Sequence, residues 1–189
     1  VFTKISGLPE NQIMGSGTIL DTARLRYGLS EHFKVAQGNI HAYVFGEHGD
    51  TSFIPWTGAY ISGLSTDEYY EEMKAHGKDV KPLDKEAMLE YVQKSGGKVI
   101  AKKGATFYAV SATVCQLVGL ILAASDSLAT VSSMLHGEYG IEDVCLSTLT
   151  LVGPNGIQGK VQMRMNKEEV ALLKKSADAL KEVIAQIEL

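Results

Sequence analysis

Cysteine is nearly absent from this chain. Two residues, Cys115 and Cys145, stand far apart in apolar surroundings among 189 residues. That excludes a disulfide framework and a cysteine-rich zinc site, and fits reduced, buried thiols of a cytosolic protein. A surplus of positive charge is also missing. Lys and Arg number 18 against 22 Asp and Glu, for a net charge of −4, and the densest basic run, Lys98 to Lys103, is short. Such a balance carries no electrostatic footprint for nucleic acid. No secretion signal opens the chain. It begins Val1-Phe2-Thr3-Lys4, which fits the interior of a longer chain or a processed product. Repeats, low-complexity runs and long linkers are lacking. One long apolar run stands alone, Ala105 to Ala124, about the length that spans a bilayer. Thr106, Ser111, Thr113 and Gln116 interrupt it, so it reads as a buried core helix rather than a membrane segment.

What is present is an ordinary globular composition, 45% apolar and 21% charged. A chain of this length can bury roughly 70% of its unfolded surface. Val1 to Ile5 reads as the end of a helix, stopped by Gly7 and Pro9, and Gln12 to Met14 as a short strand. Thr18 to Lys34 has helical periodicity through Ile19, Ala23, Tyr27 and Leu29. Ile40 to Phe45 and Thr51 to Trp56 read as strands, the second limited by Pro55. A polar helix follows Asp67. Asp84 caps a helix running to Lys103, with Gly96-Gly97 inside it. That pair costs about 2 kcal/mol relative to alanine, so a kink or a close contact is expected there. Leu128 to Leu135, Asp143 to Leu151 and Gly159 to Met163 read as strands, the last two joined through Gly153-Pro154-Asn155-Gly156. Asn166 and Glu169 form a capping-box pattern before an amphipathic closing helix with apolar residues at Val170, Leu173, Ala177, Leu180, Ile184 and Ile187. Mixed helices and strands with short connections favour an α+β fold, an antiparallel sheet packed with long helices.

Two places hold residues suited to chemistry. In Asp21-Thr22-Ala23-Arg24-Leu25-Arg26, Asp21 and Arg24 share a helix face and Arg26 projects elsewhere. Spacing alone makes Asp21–Arg24 a surface ion pair worth a few tenths of a kcal/mol, about the usual value for such pairs. Two arginines on different sides also suit two separate anions. In Phe45-Gly46-Glu47-His48-Gly49-Asp50, a histidine sits in a glycine-flanked turn at the end of a strand. His41 falls on the opposite strand face from a regularly placed His48, which argues against one shared metal despite Glu47 and Asp50. His48 is then either a solvated turn residue or a group presented to a ligand.

Four segments, GSGTILDTARLRY (15–27), IHAYVFGEHGDTS (40–52), KKGATFYAV (102–110) and GEYGIEDVCLSTLTLVGPNGI (137–157), occur in the order and spacing of the L-lactate and malate dehydrogenase family. The chain resembles the C-terminal, substrate-binding part of that family along essentially its whole length. The resemblance implies that residues 1–189 form one substrate-binding, catalytic domain of a cytoplasmic, homotetrameric, NAD-dependent enzyme interconverting pyruvate and L-lactate. It implies catalytic roles for His48, as proton donor and acceptor, and for Asp21, which orients it. It implies substrate contacts for Arg24, on the carboxylate, and Thr106, beside the reacting end. In allosteric bacterial L-lactate dehydrogenases, the positions matching Arg26 and His41 bind fructose 1,6-bisphosphate at a subunit interface, and an arginine–histidine pair suits phosphate.

The residue types suit that chemistry. Reduction of a 2-keto acid leaves negative charge on the carbonyl oxygen, which an imidazolium stabilises and protonates. A neighbouring carboxylate raises the histidine pKa. Arginine matches a carboxylate with a planar fork. No Gly-x-Gly-x-x-Gly follows a strand, so the NAD-binding Rossmann domain and the mobile loop that separates lactate from malate are expected upstream of Val1. By itself the chain is expected to bind NAD poorly and to be inactive. The competing readings are a malate or other 2-hydroxy-acid dehydrogenase domain, and a non-catalytic oligomerisation or anion-binding module.

Overall fold

The computed structural model describes residues 1–187. Helix α1 (Phe2–Ile5) is one turn, and Gly7 then takes φ +68°. Residues 10–12 form a 3-10 turn, and in place of the strand expected over 12–14 only Gly15, just beyond it, bridges to Ser132. Helix α2 (Ile19–Phe33) ends at Lys34, which adopts the left-handed conformation and donates its N–H to Ser30. Its buried face is Asp21, Thr22, Leu25, Leu29 and Phe33, whereas Tyr27, placed on the apolar face by periodicity, is half exposed. Two buried threonines override the pattern because their hydroxyls find partners across the core. Thr18 donates to the Val44 carbonyl, and Thr22 accepts from the Val44 N–H at 3.0 Å.

The segment expected as one strand over 40–45 is a strand only at β1 (Ile40–His41). Beyond it the backbone is held by α2 on one side, by the Phe45–Phe53 bridge, and by a two-way Gly46–Ser147 bridge. The stretch 51–56 contributes only that Phe53 bridge. Strands β2 (Tyr60–Ile61) and β3 (Leu64–Ser65) complete a small antiparallel sheet in the order β1-β2-β3. Helix α3 (Thr66–Ala75) opens on a Ser65/Glu68 capping box. Helix α4 (Lys85–Lys103) is capped by Asp84, which accepts from the Ala87 N–H, and stopped by Gly104 at φ +77°. It runs unbroken through Gly96-Gly97. The close contact expected there is also missing: a Cβ at Gly96 would meet only the Arg24 guanidinium, at an ordinary 3.8 Å, and one at Gly97 would meet nothing within 4 Å.

Helix α5 (Tyr108–Leu122) departs most from expectation. Only Thr113 and Leu117 are buried, while Tyr108 is 81% and Leu122 79% exposed. One side packs on Ala129, Val131 and Val152. The other carries Val110, Val114 and Val118, and no described segment folds back to cover them. Cys115 is exposed on this helix and Cys145 partly buried, both as free thiols, so neither is the fully buried thiol expected. No described helix is long and apolar enough to cross a membrane.

The expected strand 128–135 divides into β4 (Ser127–Ala129) and β5 (Ser132–His136) in different sheets. Strand β6 (Glu142–Ser147) pairs with β5. Strands β7 (Thr150–Gly153) and β8 (Gly156–Lys160) make the hairpin read from Gly153-Pro154-Asn155-Gly156, in a sheet of order β4-β7-β8. Among the described residues every strand pairing is antiparallel, but in three small sheets rather than one. Helix α6 (Lys167–Ile184) starts on the Asn166/Glu169 capping box and buries Leu173, Ser176 and Ala177 against Phe45, Leu135, Val144 and Leu146. Ile187 lies beyond its end and is exposed.

Candidate active site

Three of the residues singled out in the sequence meet at one carboxylate. Asp21 is 4% exposed in the first turn of α2. Its Oδ1 accepts from Arg24 Nη1 at 3.0 Å, and its Oδ2 accepts from His48 Nδ1 at 2.6 Å. The helix supplies the first contact, since residues three apart share a face. The second needs the turn after Phe45 to sit over the start of α2, where the Thr18 and Thr22 bonds to Val44 hold it. The Asp21–Arg24 pair is therefore a largely buried one, not the surface pair that spacing alone implies.

His48 remains accessible, with 61% of its side chain exposed. Its pKa is raised above 6.5, first by the hydrogen bond to Asp21, with burial and Arg24 opposing and the Asp21 and Glu47 charges adding to it. Nδ1 is committed to Asp21, which fixes the ring and leaves Nε2 for a ligand. His48 borders a hollow of about 690 Å³, shared with Gly15, Gly17, Ser132 and Ser147.

Gly46, read in the sequence as flanking this turn, also steadies it, whereas Ser176 and Gln93, which brace it, escape sequence reasoning. Gly46, at φ +94°, lets the chain pass against α6, where a Cβ would come 2.7 Å from Ser176 Oγ. Ser176 accepts from the Glu47 N–H at 2.7 Å and meets Thr51 Oγ1 at 2.9 Å. From α4, Gln93 Nε2 donates to the Ser52 and Asp50 carbonyls at 2.9 and 3.2 Å. The one available signal was Ser176 itself, a hydroxyl three residues from Leu173 on an otherwise apolar stripe.

The other candidates lie apart. Thr106 sits half-buried in the turn between α4 and α5, makes no side-chain hydrogen bond among the described residues and does not border the His48 hollow. Arg26 donates through Nε to the Ala42 carbonyl at 3.1 Å, and its guanidinium lies 5.1 Å from the Tyr43 ring centre. It borders a separate hollow of about 220 Å³ with Gln37, Tyr43 and Gln116. His41 is exposed on β1 and does not border that hollow. Among the described residues no three acidic, histidine or cysteine side chains cluster as a metal site.

The chain matches the lactate/malate dehydrogenase, alpha/beta C-terminal domain family over residues 18–188. It is 45% identical over 186 residues to an L-lactate dehydrogenase of Acetivibrio thermocellus, covering 98% of this chain and 58% of that protein. It is 42% identical over 184 residues to L-lactate dehydrogenase 1 of Clostridium acetobutylicum, covering 97% and 58%. A ligand-bound crystal structure of the minor L-lactate dehydrogenase of Enterococcus mundtii superposes with a TM-score of 0.90 at 30% identity, over 100% of this chain and 58% of that one. The chain thus spans a little over half the length of the relatives it matches. With its α+β architecture and the Asp21-centred cluster, it belongs to the lactate/malate dehydrogenase family, in the part that forms the C-terminal domain.

Proposed function

We propose that residues 1–189 are the substrate-binding half of an NAD-dependent L-lactate dehydrogenase, with the Rossmann domain lying outside this chain. What carries the reading is the Asp21 carboxylate bonded at once to His48 and Arg24. The names of the relatives favour lactate over malate.

Asp21 keeps His48 charged and turned so that Nε2–H addresses the carbonyl oxygen of pyruvate. As that oxygen gains negative charge, His48 stabilises it and passes its proton across, and it reclaims the proton when L-lactate is oxidised. Arg24 spends one N–H on Asp21 and keeps others for the substrate carboxylate. Thr106, in the turn between α4 and α5, is the residue this reading assigns to the substrate's reacting end. The hollow beside His48 has room for a flat ring, while this chain has no Gly-rich phosphate loop, so its residues fit the reacting end of a nicotinamide cofactor and not its pyrophosphate. When bound, that cofactor supplies the hydride and takes it back.

The parent enzyme is a cytoplasmic homotetramer in this reading, and the uncovered apolar side of α5 is a surface that such an assembly would bury. Fructose 1,6-bisphosphate is its effector, held by Arg26 and His41, with the second cation group coming from a neighbouring subunit because the two do not share a hollow here. The test is His48→Asn in the full-length enzyme. Pyruvate reduction should fall by about 10²–10⁴-fold; unchanged activity would reject the role. The 189-residue chain mixed with NADH and pyruvate should show no sustained turnover.

A further inference from the structure

Away from the His48 cluster, Lys160 at the end of β8 is held in an unusual setting. Its Nζ donates to Ser133 Oγ and to Thr150 Oγ1, the latter at 3.3 Å. Both partners are buried, at 2% and 0% exposure. No carboxylate is in ion-pair contact with it among the described residues. Thr150 sends its own proton to the Thr148 carbonyl at 3.1 Å, so toward Lys160 it can only accept. Ser133 is different. It accepts from Lys160, and its own hydroxyl proton has no acceptor among the described residues.

The amine opens on a hollow of about 210 Å³, bordered by Ser133, His136, Glu138, Glu10 and Gln158. At its rim His136 Nε2 pairs with Glu10 Oε1 at 2.5 Å, and Glu138 accepts from the His136 N–H at 2.6 Å. Burial pushes the Lys160 ammonium down to about 8, against the opposing pull of Glu138, Cys145 and Glu10. The ammonium is thus a charge taken out of water with only neutral hydroxyls in contact, and any reaction that makes it neutral relieves that cost.

We infer that Lys160 is an acylation site, whose amine takes a small acyl group from an uncharged ester or thioester entering this hollow. The Nζ lone pair forms the N–C bond at the acyl carbon. The carbonyl electron pair moves to oxygen, where the free Ser133 proton can be donated to it, as donors aimed at developing charge do elsewhere. When the carbonyl reforms, the C–O or C–S bond breaks, its electron pair leaves with the alcohol or thiol oxygen or sulfur, and the proton lost from nitrogen neutralises the leaving group. Nothing is oxidised or reduced. The product amide is uncharged and still donates one N–H. The hollow admits an acyl group of a few carbons, and Glu10 and Glu138 disfavour anionic donors.

Selectivity follows from the free-base fraction. At pH 7 about one in ten Lys160 side chains is unprotonated, against about one in three thousand for an ordinary lysine. Lower basicity returns part of that gain, which leaves an advantage of about tenfold or more.

The probe is p-nitrophenyl acetate, a small uncharged ester, given in limiting amount to the 189-residue chain between pH 6 and 10, with acetylation of each lysine read by peptide mass spectrometry. Lys160 should be acetylated about tenfold faster at pH 7 than the exposed Lys78, Lys81 and Lys102, with its rate levelling above pH 8 while theirs continue to rise. Lys160→Arg should remove the fast component, and Ser133→Ala should slow it several-fold without changing the other lysines. A Lys160 rate equal to or below those of the three exposed lysines, or one still climbing beyond pH 9, overturns the proposal. An unchanged rate in folded Ser133→Ala removes the assigned oxyanion donor and the proposal with it.

Discussion

The Nδ1 of His48 lies 2.6 Å from Oδ2 of Asp21, and the two residues are 27 positions apart in the chain. The helix carrying Asp21 is stitched to the segment leading into His48 by Thr18 and Thr22, so this contact is set by backbone on both sides. Its electrostatic consequence is a histidine pKa raised above 6.5. In Asp21→Asn the largest cause of that rise is gone, and the His48 titration should move down toward 6.5. Imidazole NMR resonances followed against pH check this; a His48 midpoint at or below 6.5 in the unaltered chain would contradict it. Because the folded-state pKa is the raised one, the pair's contribution to stability is fully present below pH 6.5. It fades as pH climbs through the folded value. His48 is well exposed, so that contribution is small and titration is the sharper readout.

Arg24 is held by Asp21 at 3.0 Å, with its side chain 16% exposed. Arg24→Lys keeps the charge but loses the fork. In the full-length enzyme kcat/KM for pyruvate should fall by about 2–5 kcal/mol in transition-state stabilisation if the substrate carboxylate is buried against it. A loss under about tenfold would leave Arg24 as a partner of Asp21 only.

Gly46 combines a positive φ with a close approach to α6. Gly46→Ala must either shift Ser176 or lift the His48 turn, at a cost of about 1–3 kcal/mol. Urea unfolding of the 189-residue chain measures it. An unchanged midpoint would mean that the turn can move freely away from Ser176.

Glu169 serves two tasks at the start of α6. Its carboxylate accepts from the Asn166 N–H within the capping box and from the Thr57 N–H, each at 3.0 Å. Asn166→Ala removes a cap and should cost about 1 kcal/mol. Glu169→Ala also strands donors of a neighbouring loop in a buried place and should cost more, about 1–3 kcal/mol beyond the cap. Thermal or urea unfolding that ranked the two in the reverse order would show that the Thr57 contact contributes little.

The cap at Asp84, the Asn166/Glu169 box and the Gly153–Gly156 turn were all legible in the chain, because each is settled within four consecutive residues. Strands are less legible in it. The run 128–135 alternates as one strand, yet β4 and β5 leave in different sheets, since pairing partners and not alternation decide where a short strand ends. The apolar run 105–124 was read as buried because hydropathy records what a surface prefers and not whether a neighbour exists to cover it. Lys160, in contrast, looks like any surface lysine until Ser133 and Thr150 are placed around it.

By itself the sequence determined that Asp21 and Arg24 share a face, that His48 sits in a glycine-flanked turn, and where the long helices α4 and α6 begin. Those features rest on backbone geometry with a reach of a few residues. Only the tertiary structure decided that Asp21 is buried, that its second oxygen meets His48, and that Ser176 and Gln93 brace the turn from two other helices. Burial and hydrogen bonding between distant segments depend on which surfaces pack together, and no local window of the chain contains that information.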